Sequence, residues 1–348
     1  MQVHGCPSAS RLIGGTQAQT ESADVPAGEP NLELSDPRDR SPAVANTIQA
    51  PYKNRFVYSW FSPANQPANC YAFLMAQSQL QPDRWLLHED APHLAKLGFR
   101  AGDKGTHTSR TMMLEELTAL LTEIAAGASR SEYAAAIVDG NCLHKPTTAT
   151  RKLTNQRLGE LYGLDTSVPL FRVLRQFWGS DQAGRPLLAL LLALARDPLL
   201  RATAEPVLRM HPGEELARQA LTNALNEAVG GRFNPEILDK VVRNAASSWT
   251  QSGHLLGRSR KSRQRVRPTP LSVSFALLIG YVLGLRGYRM FESPWCRIFD
   301  ASVDELIFTA MDAKRTGYID LKHSGSVIEV GFSNVLTNEE RQLSYGTN

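Results

Sequence analysis

Two apolar runs, Pro186 to Ala195 and Leu271 to Leu285, constrain the fold of this 348-residue chain more than any other feature. A helix that crosses the ~30 Å of membrane hydrocarbon needs ~20 apolar residues. Both runs fall short, and Ser272, Ser274, Gly280 and Gly284 interrupt the second. They read as buried core helices, and no membrane partner is expected. Met1 to Ser10 lacks the basic-then-apolar pattern of a signal peptide, and Cys6, Cys70, Cys142 and Cys296 are scattered without a C-x-x-C pair. A reducing cytoplasm is the expected setting.

Single cores stop growing near ~250 residues, so two or three domains are expected. Residues 1–50 are rich in Ser, Pro, Ala, Gln, Asp and Glu; burial there cannot offset ordering entropy, and the stretch reads as a disordered tail. Residues 51–105 carry aromatics from Tyr52 to Trp85 among prolines and read as a packed N-terminal segment whose topology the pattern leaves open. From Thr111 the period becomes helical, with Leu114, Leu117, Leu120, Leu121 and Ile124 on one face. Ser129 and Glu132 have capping-box spacing ahead of a helix from Arg130 to Val138; a turn follows, and a second helix runs from Pro146 to about Tyr162. Further helices are expected over Pro169 to Trp178, Pro186 to Arg196, Leu199 to Met210 and Glu214 to Val229, and from the Asn234–Pro235 cap to Trp249. Ser302 and Glu305 repeat the capping box, and Tyr318 to Leu321 with Val327 to Phe332 reads as a hairpin.

The stretch from Ser129 to Leu161 is the first candidate site, a helix-turn-helix pattern. If Leu153, Leu158 and Leu161 face a core, the second helix presents Thr147, Thr148, Thr150, Arg151, Lys152, Asn155 and Arg157 outward. Hydroxyls and lysines hold phosphates, while arginine and asparagine also read base edges. A plain solvated helix explains the same pattern without DNA.

The second candidate begins with the helix that carries Lys240, Arg243 and Asn244 and continues into a basic run. Arg258, Arg260, Lys261, Arg263, Arg265 and Arg267 lie within ten residues that contain no acid. The whole chain is only +4, so without them the balance turns negative and the positive field is local. Helix followed by basic hairpin is the winged-helix order, in which the wing follows the DNA backbone or enters the minor groove. A flexible basic linker is the alternative.

Three stretches resemble the BrxA family, DNA-binding components of the BREX bacteriophage-exclusion systems: G-N-C-L-H-K-P-T-T-A-T-R-K-L-T-N-Q-R-L-G-E-L at Gly140 to Leu161, the apolar helix Pro186 to Arg196, and W-T-Q-S-G-H-L-L at Trp249 to Leu256. The resemblance spans roughly residues 107 to 290. It implies a helical or winged-helix scaffold, DNA binding in a phage-defence setting, other proteins of a defence complex as partners, and DNA contacts near Thr148, Thr150, Arg151, Lys152 and Arg157.

Enzymatic readings are thinner. Asp320 and Glu329 fall on successive strands in the order of a PD-(D/E)xK nuclease, but the expected lysine position is Gly331. His88 and His93 have the wrong spacing for a helical zinc pair, Cys142 and His144 lack an orienting third group, and no phosphate-binding loop occurs. No catalytic centre, metal or cofactor is expected.

The sequence therefore reads as a mainly α protein. A helix-turn-helix domain is expected over 106–211, a winged-helix-like domain with a basic wing over 212–270, and a small C-terminal α+β hairpin module over 271–348. The expected partner is double-stranded DNA. A protein-interaction scaffold with a basic docking segment, or a degenerate Mg²⁺ nuclease, are the alternatives.

Overall fold

The computed structural model describes Trp85, Leu87 and residues 92–344. The expectations for the tail 1–50, for most of 51–105 and for His88 fall outside the described residues. Those described are mainly helical, with two small antiparallel hairpins.

In chain order, α1 (Pro92–Leu97) precedes a 3-10 turn at Thr106–Thr108; α2 (Leu114–Glu123), α3 (Arg130–Val138), α4 (Thr148–Tyr162), α5 (Pro169–Ser180) and α6 (Arg185–Arg196) follow. Next come two short helices, α7 (Pro198–Ala202) and α8 (Ala204–Leu208), then α9 (Arg218–Ala228), α10 (Pro235–Gln251) and the hairpin β1 (Leu255–Leu256) and β2 (Ser262–Arg263). The chain continues through α11 (Pro270–Val282), α12 (Tyr288–Phe291), α13 (Val303–Arg315), the hairpin β3 (Asp320–Ser324) and β4 (Val327–Gly331), and α14 (Asn338–Leu343).

The two apolar runs form α6 and α11. Every residue from Leu187 to Ala195 and from Leu271 to Val282 is buried, because each helix is enclosed by others: α4, α5 and α7 pack on α6, while α5, α12 and α13 pack on α11, and α6 and α11 touch each other. A helix apolar all round is stable in water only inside such a shell. Each fully buried leucine there contributes ~1.5–3 kcal/mol from the area it removes from water. Among the described residues, no helix is long and apolar enough to cross a membrane.

Local chemistry sets the helix starts. Ser129 with Glu132 and Ser302 with Glu305 form complete capping boxes, and the Asn234 side chain accepts from the Ile237 amide at 2.8 Å. Two expected helices differ. The stretch Leu199 to Met210 breaks at Thr203, because Pro206 has no amide to give to Ala202 and its ring crowds the preceding turn. Glu214 to Leu216 is not helical: Arg263 N donates to Glu214 O at 2.8 Å, Leu216 N donates to Lys261 O at 2.7 Å, and Glu215 bridges Ser262. The segment thus lies beside β2 as a third extended stretch.

One buried polar cluster joins distant parts of this core. His107 Nδ1 lies 2.8 Å from Asp197 Oδ2, and His107 Nε2 lies 2.8 Å from Ser248 Oγ. Burial works against the Asp197 charge, yet His107 and the amides of Leu200 and His107 hold its carboxyl below the usual range. A charged Asp197 accepts, so Nδ1 carries a proton, while Ser248 Oγ lies within hydrogen-bond reach of both Nε2 and the Asn244 carbonyl, the latter at 3.0 Å. Ser248 Oγ accepts in turn from the Met112 amide at 2.8 Å. The atoms follow the order of a hydrolase triad, but His107, Asp197 and Ser248 are at most 1% exposed. The cluster staples the 3-10 turn to the α6–α7 junction and to the last turn of α10.

Candidate nucleic-acid interface

The basic run is built onto a folded frame. β1 and β2 pair with Leu255 opposite Arg263 and Leu256 opposite Ser262, and the tip spans residues 257–261. Gly257 starts the tip at φ +117, and a Cβ there would meet Arg260 O at 1.9 Å, so only glycine fits this turn. Arg258, Ser259 and Arg260 are exposed at its apex. Arg260 Nε comes no nearer than 3.9 Å to Glu215, and the Arg260 side chain is 88% exposed. Its charge therefore remains largely available to a solvent-borne anion.

The other four basic residues divide by burial. Arg263 is 1% exposed: its Nη2 and Nη1 donate to the two Asp300 carboxylate oxygens at 2.6 and 3.2 Å, and Nε donates to Val207 O at 3.1 Å. This pair anchors the hairpin and does not face solvent, which removes Arg263 from the residues presented to a partner. Lys261 is half-buried; Nζ donates to Thr250 Oγ1 at 2.8 Å and to Gly257 O at 3.0 Å, and burial lowers its ammonium pKa. Arg265 is exposed but braces the Asp300 carbonyl at 3.0 and 3.1 Å. Arg267 is exposed.

Helix α10 lies next to this hairpin. Val241, Val242, Ala245 and Trp249 face the core, which leaves Glu236, Ile237, Asp239, Lys240 and Arg243 on the outer face. Arg243 Nε pairs with Asp239 at 3.1 Å, and Arg218 of α9 reaches the same carboxylate, so Asp239 offsets part of the positive charge. Asn244 turns inward, its Nδ2 donating to His107 O at 2.8 Å.

The first candidate segment is arranged differently from its expectation. α3 and α4 are joined by a turn in which Asn141 and His144 have φ near +50, and Thr147 caps α4 by accepting from Thr150 N at 3.1 Å. Arg151 folds back, with Nε to Lys145 O and Nη1 to Val138 O, both at 3.3 Å. Asn155 Oδ1 accepts from Arg130 Nη1 at 2.8 Å, and Arg157 pairs with Glu160 at 2.7 Å. Thr154 is buried where the leucine pattern put only Leu153, Leu158 and Leu161; Leu153 is half-buried. Thr148 and Lys152 remain exposed on α4, while Arg151, Asn155 and Arg157 are spent on intramolecular contacts.

On the C-terminal hairpin, Asp320 lies opposite Gly331 and Lys322 opposite Glu329, with Lys322 Nζ 3.2 Å from the Glu329 carboxylate. Among the described residues, no group of three or more His, Cys, Asp or Glu side chains is placed to hold a metal ion.

The sequence reading missed the Arg263–Asp300 anchor and the His107–Asp197–Ser248 cluster. The partners are 37, 90 and 141 residues apart, beyond any local period. The extended stretch beside β2 replaces the start of the helix expected from Glu214, since the four residues between Gly213 and Arg218 carry no signal that separates it from helix. No family model matches the sequence, and a search of curated proteins found no match.

Proposed function

We propose that this chain binds double-stranded DNA, without catalysing a reaction on it, through the unit running from Glu214 to Arg267. The order of that unit supports the reading: an extended stretch at 214–216, α9, α10, β1, an exposed basic tip, and β2 beside the first stretch. This is the order of a winged helix, with α10 in the position of the groove helix and residues 257–261 as the wing. The single observation that carries the proposal is the exposure of Arg258 and Arg260 on a tip whose base is locked by the buried Arg263–Asp300 pair.

In this reading α10 offers Lys240 and Arg243 to phosphates and Ile237, 40% exposed, to a thymine methyl or sugar edge. Arg258 and Arg260 follow the backbone or the narrow minor groove, while Arg265 and Arg267 extend the basic edge. The α3–α4 pair contributes Thr148 and Lys152 as accessory phosphate contacts. The phage-defence setting and the protein partners of a defence complex belong to the same proposal and rest on the resemblance of Gly140 to Leu161 and Trp249 to Leu256.

The test is fluorescence anisotropy of a labelled duplex over a series of salt concentrations. Contacts to four phosphates, from Lys240, Arg243, Arg258 and Arg260, predict a slope of log K against log salt of about −3.6. An affinity that is flat from low to moderate salt contradicts the proposal.

A further inference from the structure

A cavity of about 690 Å³ opens between α7 and α8, the end of α9, and the segment Pro294 to Ala301. Small-molecule sites are typically ~300–1,000 Å³, mostly apolar, with a few polar groups that fix orientation. Here Trp85, Pro198, Leu208, Pro294 and Phe299 supply apolar wall.

The wall carries five charged side chains, Arg201, Glu205, Arg209, Arg297 and Asp300, and Arg297 is engaged by another group. Glu205 is paired with Arg209, and Asp300 is spent on Arg263. Arg201 is different. Its Nη1 and Nη2 donate to the carbonyls of Leu194 and Arg100 at 2.5 and 3.4 Å, and among the described residues no carboxylate forms an ion pair with it. Burial lowers its guanidinium pKa to about 10, while the Asp197 charge pulls the other way. Its direct partners among the described residues are neutral carbonyls, so no contact ion pair offsets the burial of this cation, and Asp197 acts on it without a hydrogen bond.

We propose that this cavity binds a small organic anion, with a flat apolar body between Trp85 and Phe299 and a carboxylate or similar group on Arg201. The anion supplies the contact ion pair that Arg201 lacks among the described residues, and a guanidinium fork suits a planar carboxylate. None of the side chains assigned to DNA contacts lines the cavity, whereas Ala228 of α9 and Asp300, the anchor of the hairpin, do.

The probe is indole-3-acetate, titrated calorimetrically into the full chain, with uncharged indole and with acetate as separate titrants. Saturable one-to-one binding is expected, with indole and acetate each at least about tenfold weaker, the factor that ~1.4 kcal/mol represents. Arg201→Met should weaken indole-3-acetate about tenfold, and Arg201→Lys should recover part of that loss. Ala228 is exposed at the rim, so Ala228→Trp should block binding while leaving the melting temperature unchanged. No saturable binding at millimolar probe overturns the site. So does equal affinity for indole and indole-3-acetate, or undiminished binding in both Arg201→Met and Ala228→Trp.

Discussion

Arg263 grips Asp300 through both terminal guanidinium nitrogens while only 1% of its side chain reaches solvent. One arginine of a run that looks uniformly basic is therefore a structural anchor, and it turns the run into a hairpin of fixed geometry. Asp300 completes the lock by accepting from the Val266 amide at 2.7 Å.

Removing Asp300 leaves a buried guanidinium without its counter-charge. Asp300→Ala should destabilise the protein by about 3 kcal/mol, toward the low end for a broken buried pair because Asp300 itself is partly exposed. Arg258→Ala at the open tip should stay within about 0.5 kcal/mol of the parent. Urea melts of the two variants make the comparison, and equal midpoints would remove the anchor from the account.

His254 predicts an acid limb in stability. Nε2 donates to Ile298 O and Nδ1 accepts from Ser252 Oγ, each at 2.9 Å, so the ring is held neutral. Burial lowers its pKa from 6.5 to about 4. Below pH 6.5 the unfolded chain binds a proton that the folded chain refuses, so stability is full above that value and falls as pH drops toward 4. The loss is on the order of 3 kcal/mol at most. Asp197, held below its usual range, adds a further loss at still lower pH as it protonates. Urea midpoints measured from pH 7.5 to 4.5 should decline in the parent and decline less in His254→Gln. Parallel declines would assign the acid limb to other groups.

Arg151 and Asn155 are expected to affect stability rather than sequence preference. Arg151 ties the Lys145 carbonyl of the α3–α4 turn to the Val138 carbonyl that ends α3, and Asn155 holds Arg130. Alanine at either position should cost about 1 kcal/mol of stability through the lost hydrogen bonds. Duplexes of different sequence should keep their ranking. A selective loss on one duplex, with the melting temperature unchanged, would restore α4 as a reading helix.

The elements that the sequence revealed were those fixed by neighbours in the chain. Capping pairs three residues apart and a proline at a first turn announced α3, α10 and α13, and the short length of the apolar runs announced two enclosed helices. The break at Thr203 was also present as Pro206, inside a stretch whose apolar period masked it. What stayed hidden depends on long-range pairing. Arg263 differs from its neighbours only in facing inward beside Val266, the apolar residue of the run, and its partner comes 37 residues later. The intramolecular partners of Arg151, Asn155 and Arg157 are hidden for a different reason: an outward helical position does not reveal that a side chain curls back to a carbonyl or a neighbouring residue.

The most direct test of DNA binding through the basic hairpin compares Arg258→Glu/Arg260→Glu with Thr148→Ala/Lys152→Ala on one duplex at several salt concentrations. Both pairs are on the surface, and circular dichroism should show the parental helix content. The account predicts that the hairpin variant loses at least about tenfold in affinity at low salt and has a salt slope shallower by about 2, as two phosphate contacts vanish. The α4 variant should lose far less. Parental affinity and slope in the hairpin variant would contradict the central claim.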